Sequence, residues 1–138
     1  MNALIDTSVL VAAMVASEDH HQRCNKLLDS AGLGMFAHGL AETFSTLTGG
    51  RKFRMPAALA SSLLEQDYVP CFEAVTLTPM EMLRAMREAE PRGVRGGAIF
   101  DYLHLCAARK AKVPKLYTLN ISNFLAFHRA GDPEIVSP

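Results

Sequence analysis

The chain lacks several features that would place it in a specialised class of protein. Its three cysteines are odd in number and show no metal-ligand spacing, so neither a disulfide framework nor a cysteine-bound zinc site is expected. The formal net charge is zero, which argues against a protein coated with basic charge but allows a local basic patch. No apolar run is long enough to cross a membrane, and the first residues do not follow the signal-peptide pattern. We therefore expect a cytoplasmic protein without a membrane segment.

The chain does have enough apolar sequence for one core. Nearly half of its 138 residues are hydrophobic (49%) and 20% are charged, as in an ordinary globular protein. The length suits a single domain spanning residues 1–138 and is too short for two. We predict that Cys24, Cys71 and Cys106 are buried reduced thiols, which suits a reducing compartment.

Strand-like and helix-like segments alternate along the chain. The clearest helix start is Thr78-Pro79-Met80-Glu81, a capping box with proline at the first helical position. Alternation of this kind predicts an α/β fold with a mainly parallel sheet. The predicted strands are 2–5, 33–37, 71–77, 115–119 and 134–136, and the predicted helices are 7–15, 18–30, 38–48, 56–67, 78–90 and 99–108.

Polar side chains stand where the strands of such a sheet end. Asp6 follows the first strand directly, and Asn120 follows the strand 115–119. Ligands of open α/β sheets bind beyond the carboxyl ends of the strands, so these two residues face one crevice if their strands are neighbours. Asp101 opens the helix before that second strand and shares an apolar stripe, where an ionised acid is costly unless a positive charge pairs with it. Hard divalent cations are the usual partners of converging acids.

Glu42 is harder to interpret from its own helix. It lies opposite the stripe formed by Leu40, Phe44 and Leu47, so helical periodicity alone places it on a polar, solvent-exposed face. Only a companion element could turn that face toward the crevice.

Four segments of the chain together resemble the sequence of a known family. In chain order they are NALIDTSVL (2–10), HGLAETFS (38–45), GAIFDYLHL (97–105) and LYTLNISNF (116–124). Each is weak alone, but together they span essentially the whole chain, and they resemble a PIN-domain ribonuclease. More narrowly, the chain is similar to the VapC-like toxins of type II toxin–antitoxin pairs. The resemblance implies a single PIN-like domain with a short parallel sheet flanked by helices.

The resemblance also implies a Mg²⁺- or Mn²⁺-dependent endoribonuclease. Position by position, Asp6, Glu42 and Asp101 would be the catalytic acids and metal ligands. The fourth position is commonly Asp in the family and is Asn120 here, while Asn123 lies near a further position where Asp is frequent. Either amide could fill the fourth place, and the choice between one metal ion and two stays open. The implied partners are an RNA substrate, a cognate antitoxin laid across the active-site groove and a second copy of the chain in a homodimer.

The chemistry explains why such a site needs acids. A phosphodiester repels nucleophiles because it is negatively charged, and a divalent metal activates a bound water and neutralises the growing charge. Without metal the acids repel one another, by about 4 kcal/mol for two unit charges 4 Å apart at an effective dielectric of 20.

Seven further residues are candidates for contact with the substrate. The hydroxyls of Thr7 and Ser8 can cap the following helix and could also orient metal-bound water or phosphate. Two basic loops could bind phosphates or equally be solvated, and the first carries an aromatic that could stack a base. The full set is Thr7, Ser8, Arg51, Lys52, Arg54, Arg92 and Arg95.

Two other functions compete with RNA cleavage. The chain could be a catalytically weak PIN-like module that binds RNA or protein, an interpretation that the Asn120 substitution favours. It could also be a phospho-acceptor receiver, but that fold needs an adjacent acid pair after the first strand, and Thr7 follows Asp6 here.

Overall fold

A computed structural model describes all residues, 1–138, and contains five strands and seven helices. The strands are β1 (Ala3–Ile5), β2 (Leu33–Phe36), β3 (Glu73–Val75), β4 (Lys115–Tyr117) and β5 (Glu134–Val136). The helices are α1 (Thr7–Met14), α2 (His21–Leu27), α3 (His38–Gly49), α4 (Ala57–Leu63), α5 (Pro79–Ala89), α6 (Ala98–Lys110) and α7 (Ile121–Leu125). No helix is both long and apolar enough to pass through a membrane.

The five strands form one sheet in the order β3-β2-β1-β4-β5, and every neighbouring pair is parallel. The short, entirely apolar strand β1 is central and completely buried, as expected of a parallel strand covered on both faces. Chain connections leave β1 toward β2 on one side and reach β4 on the other. The gap between the carboxyl ends of β1 and β4 is therefore a topological switch point, where such sheets bind ligands.

Helices cover both faces of the sheet and divide the core in two. One apolar cluster joins the sheet to α5, α6 and α7 through side chains such as Leu103, Leu105 and Phe124. The other joins it to α1, α2 and α3 through Ile5, Leu10 and others. Because packing on two sides fixes the strands, the loops at their carboxyl ends have a rigid base.

Several predicted boundaries differ from those observed. The predicted helix 18–30 forms only between His21 and Leu27, and the predicted strand 115–119 ends at Tyr117. The predicted helix 56–67 is α-helical only over Ala57–Leu63 and continues as a π-helical turn over Leu64–Tyr68. Helix α7 was not predicted.

The cysteine prediction is correct only in part. All three thiols are free, and Cys24 is buried in the core. Cys71 and Cys106 are only partly covered, so the expectation that all three are buried is wrong for these two. Cys71 lies at the end of a short 3₁₀ turn, Val69–Cys71, rather than inside a strand, which explains its exposure.

Candidate active site

The predicted acids meet in one open pocket of about 440 Å³ at the carboxyl ends of β1 and β4. Its polar lining includes Asp6, Thr7, Ser8, Glu42, Asp101 and Asn120 from the predicted set, together with Glu18, Asp19, His20 and Thr46. Four separate parts of the chain therefore supply the predicted acids and amide. This confirms that Asp6 and Asn120 share a crevice, because β1 and β4 are neighbours.

Asp6 is the most buried of these acids and accepts the most hydrogen bonds. It is only 2% exposed, and its side chain caps α1 by accepting a hydrogen bond from the Val9 amide at 3.1 Å. The Ser8 hydroxyl donates to the same oxygen, Oδ1, at 2.6 Å, and the Thr118 hydroxyl donates to Oδ2 at 2.6 Å. Burial raises the pKa of Asp6, although these donors and His104 oppose that shift. A carboxylate offers about four lone-pair sites, so Oδ2 keeps one to offer the pocket.

Thr118 and Ser8 have roles that the sequence did not reveal. Thr118 is buried just past β4, and its hydroxyl reaches Asp6 across the switch point. Ser8 accepts from the Leu119 amide at 3.0 Å while it donates to Asp6. The cap of α1 is therefore Asp6, and the expectation that Thr7 or Ser8 caps this helix is wrong. Ser8 instead bridges Asp6 and the loop after β4. Thr118 could have been proposed from its place two residues before Asn120.

Asp101 lies in the first turn of α6 and is half-buried. Burial, followed by the negative charges of Asp6 and Glu42, raises the pKa of its carboxyl group, while the nearby His104 and Asn123 side chains oppose the rise. The direction of this shift agrees with the mutual repulsion expected from the sequence. Asn123 lies near Asp101, whereas Asn120 lines the pocket directly.

Two histidines approach the carboxylate of Glu42. His104 Nε2 lies 3.1 Å from Oε1, and His38 Nδ1 lies 3.4 Å from the same oxygen. Burial raises the pKa of Glu42, but the hydrogen bonds from His104 and His38 outweigh it, and the pKa is lowered overall. Glu42 is therefore held at the pocket rather than left on a solvated face. The companion element that its own helix could not reveal is α6, which carries His104.

The donor atoms of the pocket suit a hard divalent cation. Asp6, Glu42, Asp101 and Asn120 offer oxygen atoms only, which are the ligands that Mg²⁺ and Mn²⁺ prefer. No three His, Cys, Asp or Glu side chains lie close enough together to enclose an ion directly. Mg²⁺ usually keeps several of its waters and binds to only one or two carboxylates, so a wide, acidic, solvent-open pocket fits it.

The basic loop before α4 borders the same pocket. Lys52 forms an ion pair with Glu18 at 2.9 Å, and its ammonium lies 5.4 Å from the centre of the Phe53 ring, which lines the pocket. Arg51 and Arg54 flank this pair and are exposed. Lys52 and Phe53 are therefore at the rim of the acidic pocket, whereas Arg51 and Arg54 do not line it. The turn around Glu18, predicted as helix, contributes to the lining instead.

The two arginines of the glycine-rich loop differ in position. Arg95 is exposed and makes no side-chain hydrogen bond. Arg92 donates to Asp132 at 2.5 Å and to the Phe127 carbonyl at 3.3 Å, and its guanidinium lies over the Tyr102 ring. Asp132 precedes β5, so this ion pair is at the amino-terminal ends of the strands, opposite the acids. The expectation that Arg92 contacts the substrate is therefore not supported by its position. Its ion pair with Asp132 holds it away from the pocket.

Comparison with known proteins gives one family and a consistent fold. The model of the PIN domain family matches residues 3–127. VapC20 of Mycobacterium tuberculosis, a sarcin–ricin loop cleaving toxin, superposes with a TM-score of 0.73 at 20% identity, over 96% of this chain and 100% of that chain. A comparison with curated protein sequences gives no match.

Two further solved structures share the architecture. VapBC2 from Rickettsia felis, bound to a DNA fragment from its promoter, gives a TM-score of 0.70 at 18% identity, over 100% of this chain and 99% of that chain. FitAcB from Neisseria gonorrhoeae gives a TM-score of 0.64 at 20% identity, over 99% of this chain and 97% of that chain.

The strand order excludes the receiver alternative. The sheet has the order 3-2-1-4-5, whereas receiver domains have the order 2-1-3-4-5, so that alternative is wrong.

Proposed function

Since the chain belongs to the PIN domain family and gathers its acids in one pocket, we propose that it is a divalent-metal-dependent endoribonuclease, the toxin of a type II toxin–antitoxin pair. The observation that carries the proposal is the meeting of Asp6, Glu42 and Asp101 beside Asn120 at the switch point of the sheet. These side chains come from parts of the sequence that are up to 114 residues apart.

One or two of the three acids would bind Mg²⁺ or Mn²⁺ directly, and the remaining acid and the amide of Asn120 would contact its water ligands. When bound, the metal would lower the pKa of a coordinated water and neutralise charge on the scissile phosphate. Asp6 is fixed for this task by the Thr118 and Ser8 hydroxyls, so it needs little reorganisation. Burial and then the charges of Asp6 and Glu42 raise the pKa of Asp101, and a cation at the pocket would relieve the repulsion among the three acids.

Other residues of the chain would bind and orient the RNA. Lys52 stands at the rim, and together with its exposed sequence neighbours Arg51 and Arg54 it can contact phosphates of a bound RNA. Phe53 lines the pocket and presents a ring on which a base can stack. Arg95 is exposed just before α6 and is free to bind a phosphate, whereas Arg92 is committed to Asp132.

The proposal includes partners of three kinds: an RNA substrate, a cognate antitoxin and a second copy of the chain. The solved structures that share this fold include a toxin–antitoxin complex from Klebsiella pneumoniae, which supports an antitoxin partner. An antitoxin segment that places a basic side chain among the acids would both neutralise them and block the pocket. The proposed place of action is the cytoplasm, where RNA is available.

Substitution of each acid tests the function. Asp6→Asn, Glu42→Gln and Asp101→Asn should each lower Mn²⁺-dependent RNA cleavage by more than the roughly 10–100-fold that loss of an outer-shell metal partner costs. Asp29→Asn, which neutralises an exposed acid outside the pocket, should leave cleavage unchanged. Cleavage of a defined RNA is measured together with the melting temperature with and without Mn²⁺, because metal that binds only the native state stabilises it.

The same experiment separates cleavage from binding alone. The neutral Asn120 favours a second candidate, a PIN module that binds RNA without cutting it. Near-normal cleavage by a correctly folded acid variant would remove that residue from the catalytic set. RNA binding without any cleavage by the unaltered chain would establish the binding module instead.

A further inference from the structure

His104 lies where three helices of the site meet. It is on α6, one turn after Asp101, and its ring is fully buried. Its Nε2 lies 3.1 Å from Glu42 Oε1 on α3 and 3.4 Å from Thr7 Oγ1 on α1. The ring packs edge-on to Phe36, with centroids 5.5 Å apart and planes at 88°. A single nitrogen therefore links α1, α3 and α6 beside the pocket.

The contacts of the ring identify which nitrogen carries the hydrogen. An ionised carboxylate only accepts hydrogen bonds, so Nε2 must be the donor to Glu42. Nδ1 is buried and has no hydrogen-bond partner. A hydrogen on Nδ1 would be a buried donor without an acceptor, which proteins avoid more strictly than an unused lone pair. The arrangement therefore favours the tautomer with hydrogen on Nε2.

This hydrogen bond determines what Glu42 presents to the pocket. His104 and His38 both approach Oε1, and Oε2 has no hydrogen-bond partner within the protein. Because Nε2–H also points toward the Thr7 oxygen, the hydrogen of the Thr7 hydroxyl is free to donate elsewhere. Both effects leave a polar atom available at a pocket that Glu42 and Thr7 line. His104 itself is not part of that lining.

Resting on the proposed metal-dependent function, we infer that His104 is a positioning residue that anchors Glu42 through Oε1, so that Oε2 is left for the metal. The ring is in the core, but one of its nitrogens has no hydrogen-bond partner and the other is bonded to a proposed metal ligand. Outer-shell partners of this kind typically change metal affinity by 10–100-fold when they are removed.

Two substitutions separate the hydrogen bond from the packing. His104→Phe keeps an aromatic ring in the buried space but removes the donor, while the amide of His104→Gln can place an N–H near the position of Nε2. Calorimetric titration of the full chain with Mn²⁺ alone should show about 10-fold weaker binding for the first. The second should recover most of the affinity. His128→Phe, at a histidine bonded to the Pro133 carbonyl away from the pocket, is the matched control and should bind normally.

A double-mutant cycle shows whether His104 acts through Glu42. In a Glu42→Ala background, His104→Phe should cause no further loss of Mn²⁺ affinity, because its partner is already absent. An equal loss in both backgrounds, or normal affinity in His104→Phe alone, would overturn the inference. Failure of the proposed function would look different, since the unaltered chain would then neither bind Mn²⁺ nor cut RNA.

The tautomer can be tested without any substitution, so the inference does not depend on the variants folding. Nitrogen-15 NMR of the metal-free, unaltered protein should show the His104 hydrogen on Nε2 and a bare Nδ1. A hydrogen on Nδ1 alone would leave Nε2 unable to donate to Glu42 and would overturn the inference.

Discussion

At the scale of single residues, the three acids of the site differ in their hydrogen bonds and in the charges around them. Asp6 is buried but receives three donors, Glu42 is approached by two histidines, and no comparable hydrogen bond reaches the Asp101 carboxylate. Burial and the charges of the other two acids raise the pKa of Asp101. Asp101 is therefore the acid whose ionisation is most clearly opposed by its neighbours.

That difference predicts a pH-dependent gain in stability from Asp101→Asn. An acid whose pKa is higher in the folded than in the unfolded state holds more protons when folded, so the free energy of unfolding falls as pH rises through that interval. Without metal at pH 7, Asp101→Asn should therefore melt at a higher temperature than the unaltered protein. The difference should shrink below about pH 4, where the acid is protonated in both states. Calorimetric melting curves across pH measure this.

Asp29→Asn is the control for Asp101, because it removes an exposed charge outside the pocket and should not change the pH profile. If Asp101→Asn melts at or below the temperature of the unaltered protein at pH 7, the repulsion at Asp101 is not present in solution.

The amides Asn120 and Asn123 give a second prediction at this scale. Asn120 lines the pocket, so Asn120→Asp adds a fourth charge to the site and should tighten Mn²⁺ binding. Asn120→Ala should reduce RNA cleavage less than loss of Asp6 does, because a neutral amide contributes no charge. Asn123→Asp instead places an acid against Asp101 and serves as the comparison. Unchanged Mn²⁺ affinity in both Asn120 variants, with a change at Asn123, would assign the fourth position to Asn123.

At the scale of helices and strands, the sequence predicted elements well where local chemistry determines them. Helix α5 begins at its predicted capping box. There the side chains of Thr78 and Glu81 each accept a hydrogen bond from the backbone N–H of the other residue. Because a capping box involves only four consecutive residues, it can be recognised in the sequence without knowledge of the tertiary structure. Helix α7 has no side-chain cap and only five residues, so nothing in the local sequence marks its start. Glu18 to His20 carry helix-like spacing but are drawn into the pocket lining.

The close approach of α3 to the elements behind it gives an element-scale prediction. A Cβ at Gly39 would collide with the buried Met35 side chain and lie 2.9 Å from His104 Cε1. Overpacking of this kind costs about 1–3 kcal/mol. Gly39→Ala should therefore lower the free energy of unfolding and, by displacing His104, weaken Mn²⁺ binding. Chemical denaturation and calorimetric titration report the two effects separately.

Gly49, at the other end of α3, is the matched control because a Cβ there meets nothing within 4 Å. Gly49→Ala should leave the site intact and raise the free energy of unfolding by at most about 1 kcal/mol, the helix-propensity difference between the two residues. Similar behaviour of the two alanine variants would show that α3 can move away from His104 without loss.

At the scale of the whole molecule, the site depends on contacts that sequence periodicity cannot supply. The rule that ligands bind beyond the carboxyl ends of parallel strands correctly placed Asp6 and Asn120 in one crevice. It needs only the information that their strands are neighbours. Glu42 was assigned by resemblance to a family, since its helix alone places it in solvent. What holds it, His104, lies 62 residues away on α6. Arg92 shows the reverse case, in which a loop near the site in sequence is tied to the opposite end of the sheet.

The molecule also exposes apolar side chains on one side, which bears on its assembly. Met80, Leu83 and Met86 of α5 and Phe100 of α6 are 46–64% exposed, and Met86 and Phe100 line a shared apolar groove. Large apolar surfaces on soluble proteins commonly mark interaction sites, and methionine adapts to varied partners. We predict a two-fold homodimer in solution, with a mass by light scattering of twice the 15.1 kDa chain at micromolar concentration.

A two-fold interface contains each residue twice, so one substitution changes two contacts of the interface. Met86→Lys should therefore weaken the dimer if the α5–α6 face forms the interface. Leu59→Lys, which alters a comparably exposed apolar residue on α4, should leave the mass unchanged. A dimer that resists Met86→Lys would place the interface elsewhere, while a monomeric mass for the unaltered chain would contradict the predicted assembly. In that case the apolar face would remain available to the antitoxin, and the mass of the complex would give the ratio of the two proteins.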